Sequence, residues 1–301
     1  MPTPVRALAF PMALAAALTA CGGGGGGSLI REVPFTSFAA IAPNETVVMP
    51  GISATIGGTT DISGNQVLTF DASSVLDTSN STAKLTYNGF GDLSGMSFST
   101  PQSSASFGPG QIDCTDGVLC GAENATSSAV ASDAIPQGWN YQAYGVWLKE
   151  VSSTAFQVGV MSAGAVTPAS AVPTTGSANF VGLSSAFYVD TSGTPFFTTA
   201  DMTAGVNWMT RNIAFSTANT VAGNLVTGVT GPNSDLNLSG TLIYDPGTNL
   251  FTGTITTVSP VLTGPATGRF YGPGAEEIGG VYRLTGPGIS RMLGAFGGKQ
   301  Q

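Results

Sequence analysis

Gly268-Arg269-Phe270-Tyr271-Gly272-Pro273-Gly274-Ala275-Glu276-Glu277-Ile278-Gly279-Gly280 is the stretch whose reading decides the fold of this chain. Gly272-Pro273-Gly274 is turn chemistry: proline fixes its own φ, and glycine accepts the left-handed backbone a tight corner requires. Ala275-Glu276-Glu277 suits a short helical or bulged corner. Beyond it Ile278, Gly280, Tyr282 and Leu284 fall on every second position, the period of a strand with one buried face. Gly279-Gly280 allows close backbone approach where that strand meets its neighbour. Glu276 and Glu277 are adjacent, so on a strand they point to opposite faces and do not form a catalytic carboxylate pair.

The same texture extends outward. Leu236, Leu238, Leu242 and Tyr244 alternate with Asn237, Ser239 and Thr241, and Gly240 takes an apolar-face slot. Asp245-Pro246-Gly247 supplies a turn before Leu250 to Val258. Short strands joined by turns, with no helical period between them, predict an antiparallel sheet that closes or sandwiches; glycines at inward slots suit a barrel. The aromatic and β-branched texture begins at Tyr141. Before it, from Leu29 to Trp139, the pattern is irregular, with strand-like runs at Val67-Leu68-Thr69-Phe70, Leu85-Thr86-Tyr87 and Met96-Ser97-Phe98. Pro101 to Pro136 is polar and rich in Ser, Ala and Gly, and reads as a long loop holding two cysteines.

The first residues carry a different message. Arg6 precedes an apolar stretch from Ala7 to Ala17, then Leu18-Thr19-Ala20-Cys21 and six glycines. A basic start, a short apolar run and small residues before a cysteine predict a lipoprotein signal over 1–20, with Cys21 as the lipid-bearing residue. Gly22 follows where an inner-membrane retention signal has aspartate, so the expected destination is the outer membrane. Residues 22–28 read as a flexible tether of about 15 Å root-mean-square length. No second long apolar run follows, which places the expected body outside the bilayer.

With Cys21 assigned to lipid, Cys114 and Cys120 remain, and an even remainder in an exported chain predicts one disulfide. A metal site is the rival, but two thiolates are half a tetrahedral shell and the chain has no histidine to complete it. No metal or cofactor is expected. Charged residues make up 9% of the chain, against about 25% in an average soluble protein, so Ser, Thr, Asn and Gly cover the surface. The net charge is −8 and becomes more negative when Arg6 leaves with the signal. Without a basic patch, nucleic acid is not an expected partner.

The Gly268–Gly280 stretch and the ending Gly294-Ala295-Phe296-Gly297-Gly298-Lys299 together resemble the C-terminal β-barrel signature of transferrin-binding protein B and related surface lipoproteins. Tyr144-Gly145-Val146-Trp147 resembles that family's barrel-opening strand, and Gly176-Ser177-Ala178-Asn179-Phe180-Val181-Gly182 its next signature. The resemblance covers Tyr141 to the end, about half the chain. It implies an all-β protein: a handle-like β-rich domain over 29–139, then an eight-stranded antiparallel barrel over 140–301. Gly268, Phe270, Tyr271, Gly272, Pro273, Ala275, Glu277, Gly279 and Gly280 are then residues of barrel closure, and ligand-binding residues are not identified by it. The resemblance also implies an outer-membrane, surface-exposed, lipid-anchored protein delivered by a surface-lipoprotein translocator. It would bind an extracellular protein or small ligand, with metal or nutrient acquisition as the role. An adhesive or structural surface protein is the alternative. Zero histidines argues against a histidine-ligated haem, leaving Tyr or Met ligation open.

Three further constellations bear on chemistry or binding. Tyr188-Val189-Asp190-Thr191-Ser192-Gly193 has the form of an aspartic-protease motif, and Leu76-Asp77-Thr78-Ser79-Asn80 is its nearest second copy, with Asn in place of glycine. Two carboxylates would have to share one proton, and strand ends running into turns explain both segments better; no enzymatic activity is expected. Asp113, Asp116 and Glu123 gather near the cysteines without a calcium-loop alternation and read as solvated loop charges. Trp139, Tyr141, Tyr144 and Trp147 form an aromatic cluster. Trp139, Tyr141 and Trp147 are expected on one face, filling the barrel or the seam between the domains.

Overall fold

A computed structural model describes residues 30–32, 35–60, 68–71, 73–114 and 117–301. The expected signal over 1–20, the lipidated Cys21, the tether, Val67 and Asp116 lie outside the described residues.

Strands form two sheets. The first contains β1 (Ile30–Glu32), β2 (Thr46–Thr60), β3 (Leu68–Phe70), β4 (Val75–Tyr87), β5 (Leu93–Ser99), β6 (Ser104–Phe107), β7 (Ile112–Asp113), β8 (Leu119–Glu123), β9 (Ser127–Ser132), β10 (Gln142–Glu150) and β11 (Ala155–Gly164). Its order is β6-β5-β4-β2-β11-β10-β9-β8-β7, with β1 and β3 also paired to β2. The sheet curls until its edges approach: Asn124 Nδ2, after β8, donates to Ser106 O on β6 (3.0 Å). Inside the curl the Trp147 indole stacks on Phe98, centroids 5.1 Å apart and planes 2° from parallel.

The second sheet contains β12 (Ser177–Val189), β13 (Pro195–Asn207), β14 (Asn212–Asn224), β15 (Thr230–Pro232), β16 (Leu238–Tyr244), β17 (Leu250–Thr257), β18 (Thr263–Tyr271), β19 (Glu277–Thr285) and β20 (Arg291–Gln300). The order runs β13-β12-β20-β19-β18-β17-β16-β14, and β13 pairs back to β14, which closes eight antiparallel strands into a barrel; β15 pairs β14 outside that circuit. Closure removes the free edges an open sheet exposes.

The eight-stranded antiparallel barrel expected from the signature is therefore present, and the protein is all-β. One boundary differs. The strand expected to open the barrel, with Tyr144 to Trp147, is β10, and it pairs with β9 and β11 in the first sheet. The barrel starts at β12, not at residue 140. Both faces of β10 and β11 are buried, one in the core of the first sheet and one against the barrel, so their apolar texture matches that of barrel strands while their hydrogen-bond partners lie elsewhere. The 101–136 segment, expected as a loop, carries β6 to β9. Its strands are built from Ser and Ala, whose small contrast in polarity hides the period that burial makes plain: exposed and buried residues alternate along β6.

Period two holds along β13 and most of β14, which face solvent on one side. It is lost in β19 and β20, in each of which seven residues are buried. Ile278, Tyr282 and Leu284 point into the barrel core, while Val281, Leu293 and Ala295 join the core of the first sheet. The outer wall of the barrel thus serves as the floor on which the first sheet packs.

Candidate functional site

The signature residues build the seam between the two sheets and one corner of the barrel. Phe270 points inward and is fully buried, within 6.1 Å (centroid to centroid) of the rings of Phe180, Trp208, Tyr244 and Phe251. Gly268 and Gly280 leave room inside for the rings of Phe251 and Phe296. One residue on, Tyr271 points outward, and its Oη lies 3.0 Å from Ser162 Oγ on β11. Gly272 has φ +90° and Ala275 φ +66°, so the corner turns through the left-handed region twice. Pro273 is exposed at the tip, and Glu276 accepts the Gly274 N–H at 2.8 Å, holding the turn shut.

Glu277 is fully buried. Its carboxylate accepts the backbone N–H groups of Asn140, Tyr141 and Gln142, where the chain enters β10. Burial pushes this carboxyl up to about 7, against the opposing pull of the three N–H donors and Lys299. Gly279 lies against the first sheet: a Cβ there would sit 2.4 Å from Ser162 Oγ and 3.0 Å from Gln142 Oε1. Glu276 and Glu277 diverge, as adjacent strand residues do.

The aromatic cluster divides. Trp147 faces the core of the first sheet, its Nε1 donating to Ser103 Oγ at 3.2 Å. Tyr144 faces the barrel, with Oη 3.1 Å from Ser185 Oγ on β12. Trp139 precedes β10 and packs on Tyr144 (6.1 Å) instead of sharing a face with Trp147, because the strand period starts only at Gln142. Trp139, Tyr144 and Trp147 are all buried and offer no contact surface.

The protease-like segments are structural. Asp190 Oδ1 accepts Ser192 N, Ser192 Oγ and Thr194 N, closing the exposed β12–β13 turn. Asp77 lies on β4 of the other sheet. Burial alone would raise its carboxyl, but the donors Ser81 and Asn80 outweigh that and hold it below its ordinary value. Each carboxylate is occupied by its own neighbours. Cys114 and Cys120 are joined in a disulfide, Cα atoms 4.1 Å apart. Asp113 and Glu123 lie on β7 and β8.

The barrel interior is filled. Ring centroids of Phe180, Trp208, Phe215, Phe270 and Phe296 lie 4.8–6.4 Å from their neighbours, as expected of eight strands, whose lumen is just wide enough for side chains. A shallow surface groove of about 420 Å³ is lined by Val166, Thr167, Pro168, Thr248, Asn249 and Arg269, among others, but Asn249 is committed to Thr167 O, Phe270 O and Phe270 N.

The mouth formed by the ends of β12, β14, β17 and β19 is different in character. Its loops expose Val226 (50%), Val229 (70%), Val258 (64%) and Val261 (61%). Asp235 O holds Val258 N and Ser259 N, and Pro195 O holds Leu225 N, so each valine-bearing loop is tied to a neighbouring segment at the same end. This mouth lies at the opposite end from the Glu277 corner, and β1 enters at the Glu277 end, with Ile30 opposite Thr46. No motif in the sequence marks these valines; only the pairing of strands shows which apolar loop residues gather at one end.

Residues 172–300 match the family model for the C-lobe and N-lobe β barrels of transferrin-binding protein B. The match covers the barrel and not the first sheet. Among solved structures the chain is similar to a variant of transferrin-binding protein B from Haemophilus parasuis, at 19% identity and TM-score 0.47, over 78% of this chain and 47% of that one. It is similar to transferrin-binding protein B from Neisseria meningitidis at 13% identity and TM-score 0.43, over 84% and 64%. The N-lobe of lactoferrin-binding protein B from Moraxella bovis overlaps at 10% identity and TM-score 0.37, over 84% and 99%. The chain spans about half the length of the first of these. No curated protein matches it. Within that matched barrel, the signature from Gly268 to Gly280 joins the neighbouring strands β18 and β19 and fastens them to the first sheet through Tyr271 and Glu277.

Proposed function

We propose that the protein is a non-enzymatic surface lipoprotein, anchored in the outer membrane through Cys21, that captures an extracellular protein on the valine-bearing mouth of its barrel. The carrying observation is the exposure of Val226, Val229, Val258 and Val261 on hydrogen-bonded loops at one end of the barrel. Exposed apolar residues gathered on one surface favour a protein partner. The aromatic-filled lumen favours a protein over a small solute held inside. The family of the barrel supports the same class of function, with transferrin-like host proteins and metal acquisition as the reading for ligand and role. Tethered at the β1 end, the body presents its valine mouth away from the bilayer. A surface-lipoprotein translocator completes the route to the exterior.

The test is retention of proteins from host serum or spent medium by the immobilised protein, followed by mass identification. The same retention is then measured with Val226, Val229, Val258 and Val261 changed together to Ser. Loss of a captured protein with the barrel still folded supports the proposal. Equal capture by both places recognition elsewhere. The adhesive alternative predicts no captured protein and reduced cell adhesion on deletion.

A further inference from the structure

Three strand ends converge beside the disulfide. Cys114 follows β7, Cys120 lies on β8, and Asp133 follows β9; Cys120 pairs with Ala131, and Asp133 N donates to Val118 O at 3.0 Å. The two sulfurs and a carboxylate oxygen of Asp133 all lie within 4.8 Å of one another. Cys120 is fully buried and Asp133 is 3% exposed. Among the described residues, Asp133 Oδ1 has no hydrogen-bond partner, and neither does the buried Tyr87 Oη. A buried carboxylate oxygen without a donor is costly and rare.

We propose that in the reduced chain Cys114, Cys120 and Asp133 form a three-ligand site for a borderline-soft divalent cation of the zinc class, with a fourth position left to solvent. The objection from sequence was that two thiolates make half a shell. Asp133, 13 residues beyond Cys120 and outside any motif, supplies the third ligand. Around a tetrahedral ion with Zn–S of about 2.3 Å, neighbouring ligand atoms are about 3.5–3.8 Å apart. All three candidate ligand atoms already lie within 4.8 Å of one another, so side-chain rotation in the reduced chain suffices to reach that spacing. The chemistry balances simply. An exported chain arrives with both cysteines as thiols, and each releases its proton to solvent as its sulfur binds the ion. Exchange with a disulfide oxidant, whose own S–S bond takes up the two electrons and two protons and leaves as a dithiol, forms the Cys114–Cys120 bond and expels the ion. The ion and the disulfide are thus mutually exclusive occupants of one site.

The test uses the full chain in detergent, reduced with a phosphine and titrated anaerobically with cobalt(II). The reduced protein is expected to take up one cobalt, with sulfur-to-metal charge-transfer absorption and tetrahedral visible bands that zinc abolishes; the oxidised protein shows neither. Asp133→Asn is expected to weaken cobalt binding about tenfold or more. Asp133→Cys is expected to raise the charge-transfer intensity as two Co–S bonds become three, which keeps the test decisive if the Asn variant fails to fold. No cobalt uptake by the reduced chain overturns the proposal. So does Asp133→Asn binding as tightly as the unaltered protein, or Asp133→Cys showing two Co–S bonds.

Discussion

Tyr271 Oη lies 3.0 Å from Ser162 Oγ and 3.2 Å from Ser162 O, joining the barrel wall to β11 across a buried seam. Tyr271→Phe keeps the ring and removes both contacts. It leaves Ser162 buried with its hydroxyl deprived of that partner, at an expected cost of about 1–2 kcal/mol. A urea unfolding curve with a lower midpoint and unchanged slope is the expected record. An unchanged midpoint would mean the seam hydroxyls contribute nothing.

Glu277 gives the protein a pH dependence of definite sign. Its carboxyl is pushed up to about 7 in the folded protein, against 4.5 for the free group. The folded state therefore holds a proton that the unfolded state releases between those values. The stabilisation is fully present below about pH 4.5 and is lost as pH rises through 7. Asp133, pushed up to about 6 by burial and by Asp92, acts in the same direction. Unfolding free energy measured from pH 5 to 8 is expected to fall. Glu277→Gln should flatten the upper part of that fall and Asp133→Asn the lower part. A profile of the same slope in both variants would refute the assignment.

The barrel was legible because its information is local. Turn residues at Gly272-Pro273-Gly274 and Asp245-Pro246-Gly247, with period-two apolar positions between, specify strand, corner and inward face without reference to distant partners. The first sheet was only partly legible. Ser104 to Phe107 and Ser127 to Ser132 carry too little contrast in hydropathy to show their period, and the sheet to which β10 belongs depends on pairing with β9 and β11. The site beside the disulfide was half legible. Cys114 and Cys120 stand out in any reading of the chain, whereas Asp133 becomes a neighbour only when β8 and β9 pair. The valine mouth was not legible, since exposure of an apolar loop residue is a tertiary property.

Gln142 makes a prediction in the stabilising direction. It is fully buried at the seam, and among the described residues neither its amide oxygen nor its nitrogen has a partner. Burying an amide unpaired costs about 1–3 kcal/mol, so an unbranched apolar side chain of similar length should relieve it. Gln142→Met is expected to raise the urea midpoint by about 1 kcal/mol equivalent or more. A lower midpoint would show that the amide is satisfied by bound water, which a buried-water signal in exchange measurements would then identify.

Gly159 lies directly over the Trp147 indole: a Cβ there would be 2.0 Å from Cζ2 and 2.2 Å from Cε2. The indole cannot retreat, because its other face stacks on Phe98 and its Nε1 donates to Ser103 Oγ. Gly159→Ala therefore forces the ring off its stack or bends β11, at an expected cost of about 1–3 kcal/mol for overpacking. Two readouts separate this from a general effect of substitution in a strand. The near-ultraviolet dichroism of tryptophan should change with the altered ring, and a second change, Trp147→Phe, should recover part of the lost stability by opening space beneath residue 159. Additive losses in the double variant would show that the two positions do not meet.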